Sequence, residues 1–385
     1  MYNKRIVFWS ACFGMLLFGV ALITLGSIAT DLKDKLGMSE IETGTLFSIL
    51  PFGILVGSLI FGPVADRYGY KLLLTITCIF LAAGFEGVAF SSSSALLKLS
   101  IFLIGLSGGV LNGATNALVS DISNSDRTAN ISLLGVFFGI GALGIPLMLG
   151  SAGEKAGFEG IVSSVGLVSL FGAIIYGLIK LPPPKNKEKI PFSLIKGFFS
   201  DSVLLLIAFY LFFQSSFEGL MNNWTTSYLS DHLSLSQPKA LLGLSLFVGG
   251  MVSMRLVTGL LIRNMPPARM LAISFFLLIA GLALLITGRA AAVAHTGFFL
   301  IGTGLANGFP VMLGLAGERY EKQSGTAFSF VLTIALLGNM IINYIMGIIS
   351  EHTGIGNLVL VICFETLIMI LLGLMIFKNY KKKRL

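Results

Sequence analysis

From Ile6 almost to the last residues, apolar stretches long enough to cross a bilayer follow one another with only short polar breaks. A helix of roughly 20 mainly apolar residues spans the hydrocarbon layer. Lipid offers a backbone no hydrogen-bond partner, so a chain built this way has two options, helices or a closed barrel. The ten-residue alternation of a barrel strand is absent, and 46 glycines are spread through the apolar stretches, as in helices whose backbones approach closely. The fold class is therefore all-α, in membrane. With 55% hydrophobic and 11% charged residues and a mean hydropathy of +0.91, most of the surface has to face lipid. Cys12, Cys78 and Cys363 all lie in apolar stretches and read as inert buried thiols. Lys4 and Arg5 precede an apolar run too long for a signal peptide and without a small-residue cleavage site, so that run is read as the first span.

Twelve spans are expected, near residues 6–30, 43–65, 71–91, 96–119, 129–152, 160–181, 201–223, 240–262, 268–288, 293–316, 325–349 and 354–377. An even number puts both ends on one side. Most of the 26 Lys and Arg fall in the N-terminus, the even-numbered loops and the tail, which makes that side cytoplasmic by the positive-inside rule. Pro182-Pro183-Pro184 and the charged stretch after it form the one clear linker, near the middle of the chain. The expected organisation is a six-helix bundle over 1–181, a cytoplasmic linker over 182–200, and a second bundle over 201–385 that ends in a short basic tail. The halves look like copies. Gly150-Ser-Ala-Gly-Glu154-Lys-Ala-Gly157 returns as Gly347-Ile-Ile-Ser-Glu351-His-Thr-Gly354 at an offset of 197, which also sets Gly62 on Gly259 and Asp66 on Arg263. Duplicated halves usually hold a site between them, opened to each side in turn.

The loop after the second span reads Gly62-Pro-Val-Ala-Asp66-Arg67-Tyr-Gly69-Tyr70-Lys71. It resembles the G-x-x-x-D-R-x-G-R-K signature of the major facilitator superfamily, with Tyr70 where a basic residue is usual and a weaker loop charge network expected. The resemblance implies two pseudo-symmetric six-helix bundles, twelve transmembrane helices in all, and transport by alternating access. Asp66, Arg67 and Lys71, with Arg255 and Arg263 in the second half, are then the expected gating set, since opposite charges at helix ends can latch two arrangements. Within the superfamily, several segments look like the fucose, galactose and glucose permease branch: Phe138 to Pro146, Glu218 with Asn223-Trp224, Arg255, and Ser324 to Phe328. Those permeases often carry a glutamate in the fourth span that is implied in proton coupling. Here Asn112 stands in its place, and the first span has no acid in its hydrophobic part, so coupling by the branch's usual residues is not expected.

An ionisable group at membrane depth is costly unless paired or hydrated, which makes Glu86, Glu218, Arg255 and Glu365 candidates by default. By analogy with the superfamily, spans 1, 4, 7 and 10 line the path and spans 3 and 12 are peripheral. Glu86 and Glu365 are thus expected in structural or interface roles. Gln214, Glu218 and Asn222 recur at i, i+4 and i+8 and share one face of the seventh span. Asn112 and Asn116 repeat that spacing in the fourth span and Asn339 and Asn343 in the eleventh, while Asn307 occupies the tenth. Amides offer donors and acceptors together and suit a hydroxyl-rich solute, with Asn223 beside them and Trp224 as a stacking platform. The alternative for any one amide is interhelical hydrogen bonding that fixes packing, and their concentration on path-lining spans favours the solute reading for the set. Glu218 is expected to bind solute and to carry a coupled proton.

Three readings stay open: a symporter of a sugar or other polar metabolite, an efflux antiporter of drugs or amphiphiles, and a membrane sensor or scaffold that does not transport. The amide-rich path favours the first. The 31 phenylalanines keep the second, and the third lacks a soluble domain or partner-binding tail within these residues. Enzyme chemistry is not expected, because His232, His295 and His352 are isolated in predicted outer loops and no phosphate-binding loop is present. The expected partners are a small-molecule solute, the lipid bilayer and a co-transported proton or sodium ion, acting on a monomer. No metal or cofactor is expected, and the net charge of +8 is ascribed to headgroups rather than nucleic acid.

Overall fold

The computed structural model describes residues 2–122, 127–183, 198–260, 265–288, 290–320 and 324–382. Some side chains inside helices, those of Asp66 and Glu154 among them, lie outside that description, as do most of the linker and Arg263. Among the described residues, twelve helices are long and apolar enough to cross a membrane. Spans 1 to 6 are Lys4–Ser27, Glu40–Gly62, Arg67–Phe90, Ser94–Val119, Leu133–Gly153 and Lys155–Leu178. Spans 7 to 12 are Ser202–His232, Gln237–Thr258, Pro267–Thr287, Ala291–Arg319, Phe330–Thr353 and Ile355–Asn379. The chain divides into two compact units, Met1–Glu188 and Lys189–Leu385.

Two boundaries differ from the sequence expectation for identifiable reasons. Span 1 stops at Ser27, and a separate short helix, Ala29–Leu36, follows it. Asp31, Lys33, Asp34 and Lys35 make that segment too polar to continue the crossing, and Gly37 closes it in the left-handed region at φ 61°. Span 7 runs on past residue 223, because Tyr228 and Leu229 remain buried and its last turn widens into a π-helix over Tyr228–His232. The three histidines sit at helix ends rather than in free loops: His232 closes span 7, His352 lies in the last turn of span 11, and His295 in span 10 contacts the Lys239 carbonyl at 2.8 Å.

Packing within each unit repeats, and glycine is the reason. A Cβ on Gly105 would lie 2.3 Å from the Leu50 carbonyl oxygen, so spans 2 and 4 meet backbone to backbone. In the second unit a Cβ on Gly302 would lie 2.0 Å from the Phe247 carbonyl oxygen, joining spans 8 and 10 in the same way. The two glycines are 197 residues apart, the offset of the sequence repeat. Gly157, at the start of span 6, and Gly354, just before span 12, are separated by the same offset, and both turn the chain at positive φ, 68° and 89°. The duplication thus extends from sequence to backbone geometry.

Polar groups tie the helix ends inside each unit. In the first unit the Lys35 ammonium donates to the Ala89 carbonyl at 3.0 Å and pairs with Glu159 at 3.4 Å, joining the short helix to spans 3 and 6. In the second, Asp201 caps span 7 by accepting from the Val203 amide at 3.0 Å, and its carboxylate accepts from Arg319 Nη2 at 2.8 Å and from the Tyr320 hydroxyl at 2.6 Å. Burial alone would raise the Asp201 carboxyl, but the hydrogen bonds from Arg319 and Tyr320 and the guanidinium charge outweigh it and hold the group below its ordinary value. Burial and the bond to Asp201 push the Tyr320 phenol up to about 12.

Two outcomes follow from this packing. Gly302→Ala places a methyl group against backbone that cannot move aside and lowers the thermal midpoint of the purified protein, whereas Gly144→Ala, which meets open space, leaves it unchanged. Asp201→Asn keeps the helix cap and loses the ion pair, costing about 2 kcal/mol by the usual worth of charge-assisted bonds. Because folding lowers the Asp201 value, this stabilisation is complete above about pH 4, the ordinary aspartate value, and disappears as pH falls through the folded-state value. A series of melting curves from pH 7 into acid should show that acid loss in the wild type and a smaller one in Asp201→Asn.

Candidate functional site

Span 7 carries the polar stripe, and its length is set by what surrounds it: nineteen of its residues from Val203 to Ser227 are buried. Gln214, at the start of the stripe, is occupied. Its side-chain amide donates at 2.9 Å to the carbonyl of Leu305. That carbonyl lies at a break in span 10, between the helical pieces Ala291–Leu305 and Gly308–Arg319. Pro310, early in the second piece, lacks the N–H that the Ala306 carbonyl would accept, and its ring crowds that carbonyl, so the proline sits beside the break. At the break, the Asn307 side-chain oxygen accepts from Thr258 Oγ1 at 2.7 Å, and its nitrogen reaches Ser274 Oγ at 3.5 Å. Gln214 and Asn307 therefore pin a discontinuous helix.

The amides farther along span 7 meet those of span 11. Asn343 Oδ1 accepts from both Asn223 Nδ2 and Trp224 Nε1, each at 3.1 Å. Asn343 Nδ2 donates to the carbonyl and side-chain oxygens of Asn339 at 2.8 and 2.9 Å, and Asn339 Nδ2 donates to the Ser215 carbonyl at 3.0 Å. This ladder fastens spans 7 and 11 together. Trp224 is wholly buried, with its one donor engaged, so it offers no free face for stacking. In the first unit Asn112 and Asn116 are half-buried and bonded to each other, Asn116 Nδ2 donating to the Asn112 carbonyl at 2.9 Å and to its side-chain oxygen at 3.1 Å.

Two members of the stripe are left over. Glu218 is half-buried and forms no hydrogen bond or ion pair among the described residues. Asn222, one turn on, is 6% exposed, and its side-chain oxygen has no hydrogen-bond partner among the described residues. Arg255 of span 8 is exposed, and its charge acts on the Glu218 carboxylate without a salt bridge joining them. Sequence reasoning assigned Arg255 to a latch and did not connect it to Glu218.

Of the expected gating residues, Arg67 and Lys71 are exposed, and the Arg67 guanidinium lies 5.3 Å from the Tyr68 ring. The Asp66 side chain and Arg263 lie outside the described residues. Tyr70, the departure from the signature, donates its hydroxyl to Asp121 at 3.0 Å and so links the start of span 3 to the end of the helix of span 4. Glu86 accepts from the Ser163 hydroxyl at 2.8 Å between spans 3 and 6, and Glu365 contacts the Ser216 hydroxyl between spans 12 and 7. Neither pairs with a charge among the described residues. The cluster of Asp201, Arg319 and Tyr320 escaped the sequence reading, although an aspartate directly before an apolar run is a helix-start signal.

The Major Facilitator Superfamily profile matches residues 11–316. An uncharacterized transporter, y4wD, of Sinorhizobium fredii (strain NBRC 101917 / NGR234) is 23% identical over 346 residues, covering 88% of this chain and 89% of its own. The glucose/mannose transporter GlcP of Bacillus subtilis (strain 168) is 23% identical over 369 residues, 92% of this chain and 90% of its own. Among solved structures, that of a D-xylose-proton symporter superposes with a TM-score of 0.79 at 14% identity, over 97% of each chain, a likeness of fold. With twelve apolar spans and a profile match across most of its length, the chain belongs to the Major Facilitator Superfamily and is an integral membrane transporter rather than an enzyme.

Proposed function

We propose that the protein is a secondary transporter that moves a small polar solute, a sugar or related metabolite, by alternating access of its two six-helix halves about the 182–200 linker. The observation that carries this reading is Glu218: a half-buried carboxylate without a partner among the described residues, one helical turn from the unpaired oxygen of Asn222 and within the field of Arg255. A carboxylate and an amide oxygen accept from hydroxyl groups, and Arg255 donates, which together suit a polyhydroxylated solute. Glu218 also serves as the acceptor for a co-transported proton. Asn112 and Asn116 of span 4 contribute amide contacts from the first half, since their bonds to each other leave donor and acceptor capacity. The carbohydrate named for GlcP and the proton and xylose named for the superposed symporter favour the same class, as does the likeness to the fucose, galactose and glucose permeases.

In this reading Gln214, Asn223, Trp224, Asn307, Asn339 and Asn343 hold the surrounding helices in register, and the amides among them touch solute at most through their remaining valences. Arg67 and Lys71, with Asp66 and Arg263, form the latches. The positive-inside bias sets both termini in the cytoplasm of a cell whose inner membrane holds the protein as a monomer.

The solute is found first by thermal shift of the purified protein against sugars, nucleosides, amino acids and drugs, a ligand at 100 times its Kd stabilising by about 2.7 kcal/mol. Uptake of that solute into proteoliposomes then tests the residue. Glu218→Gln is expected to lower uptake by roughly tenfold to a hundredfold, the worth of one or two charge-assisted bonds, and to flatten its dependence on pH. Unchanged uptake with an unchanged pH profile removes Glu218 from the mechanism. A hit confined to amphiphilic drugs, with export driven by protons moving inward down their gradient, replaces the sugar reading by the efflux one.

A further inference from the structure

Glu365 lies at the middle of span 12 and is 1% exposed. It faces Ser216 of span 7, itself fully buried, and their contact joins Glu365 Oε1 to Ser216 Oγ. The other carboxyl oxygen, Oε2, is buried and has no hydrogen-bond partner among the described residues. Ser216 Oγ is also 3.0 Å from the carbonyl oxygen of Phe213, one turn back on its own helix.

A hydroxyl has one hydrogen to give. If Glu365 is ionised, that hydrogen goes to the carboxylate and the Phe213 carbonyl loses a donor. Oε2 then holds charge in a dry interface with neither a donor nor a cation, the costliest arrangement available to a buried carboxylate. If Glu365 is protonated on Oε1, the acid donates to Ser216 Oγ and the serine donates to the Phe213 carbonyl. Every hydrogen is then used, and the atom left over is a neutral carbonyl oxygen.

Among the described residues, no charge pairs with Glu365 to alter that comparison. Span 12 packs against spans 7 and 9 and the end of span 11. Within the apolar depth, spans 7 and 11 carry Tyr210, Glu218 and Tyr344, and span 12 itself carries Cys363. At the helix ends stand Asp201, Tyr228, Asp231 and His232 on span 7, Arg269 on span 9, Glu351 and His352 on span 11, and Lys378 on span 12. Among the described residues Glu365 forms no salt bridge, and its one hydrogen-bonding contact is Ser216.

We infer that Glu365 is a proton-binding site, a carboxylic acid whose O–H donates to Ser216 and fastens span 12 to the rear of the helix that carries Glu218. The site holds a proton and no other ligand. Its existence does not depend on what is transported or on the role of Glu218. Removing the proton places an unpaired negative charge between two packed helices, so alkaline solution loosens span 12 from span 7.

Infrared spectra of the full-length protein in nanodiscs, taken across pH, test the assignment through the carbonyl stretch of protonated carboxyl groups. The wild type is expected to show that band at neutral pH, and Glu365→Gln to lack the component that Glu86→Gln retains. Glutamine keeps a neutral donor toward Ser216, so the thermal midpoint of Glu365→Gln stays level into alkaline pH while that of the wild type falls. Ser216→Ala removes the acceptor and moves the band to higher frequency, a readout that remains if Glu365→Gln does not fold. An acid band at neutral pH that is the same in wild type and Glu365→Gln, or one that does not move in Ser216→Ala, overturns the proposal.

Discussion

Hydrocarbon accepts no hydrogen bonds, and nearly every feature of this protein answers that fact. It restricts the backbone to helices, and wherever a helix is interrupted it demands a substitute partner for the group set free. At the interruption of span 10, Gln214 reaches from span 7 to the Leu305 carbonyl and gives it a side-chain donor. The same pressure explains why serine and threonine hydroxyls along the spans bond back to carbonyls of their own helices, as Thr24 does to Val20 and Thr115 to Leu111. Polar side chains here are mostly used to keep the backbone satisfied, and a residue that is not so used stands out.

Helices in lipid gain little from excluding water, so their association depends on close contact. Glycine supplies it at the crossings of spans 2 with 4 and 8 with 10, where a single methyl group would meet a carbonyl oxygen. Hydrogen bonds then fix rotation about each axis. The two donors that converge on Asn343 Oδ1 hold span 7 at one angle to span 11, and that angle decides which residues of span 7 remain available. Asn223 and Trp224, five and six residues on, project about 120–140° around the helix from Glu218, so fastening them to span 11 leaves Glu218 on another face, without a partner among the described residues.

The spans, the linker and the repeat were legible because each is a local property: the length of an apolar run, a cluster of prolines, a motif recurring at one offset. Gly157 and Gly354 stood in the repeated motif before their shared backbone turn was visible. The polar stripe was legible as a stripe and no further. Gln214, Glu218 and Asn222 share a face, yet Gln214 is consumed by a helix break in span 10, and neither its neighbour nor its register can be read from span 7 alone. Trp224 looked available for the same reason. Contacts between residues far apart in the chain, Asp201 with Arg319 and Ser216 with Glu365, leave no periodicity behind them.

The two copies of the repeat are not mechanically equal. Span 4 is one unbroken helix within Ser94–Ile122, whereas its counterpart, span 10, is two pieces joined at Ala306 and Asn307. Inserting one residue into an unbroken helix turns everything beyond it by about 100°, so span 4 transmits any register error along its whole length. Span 10 can absorb part of such a rotation at its joint, provided the bonds of Gln214 and Asn307 are given up. The two halves are similar, and the joint beside Pro310 is where span 10 departs from the unbroken helix of span 4.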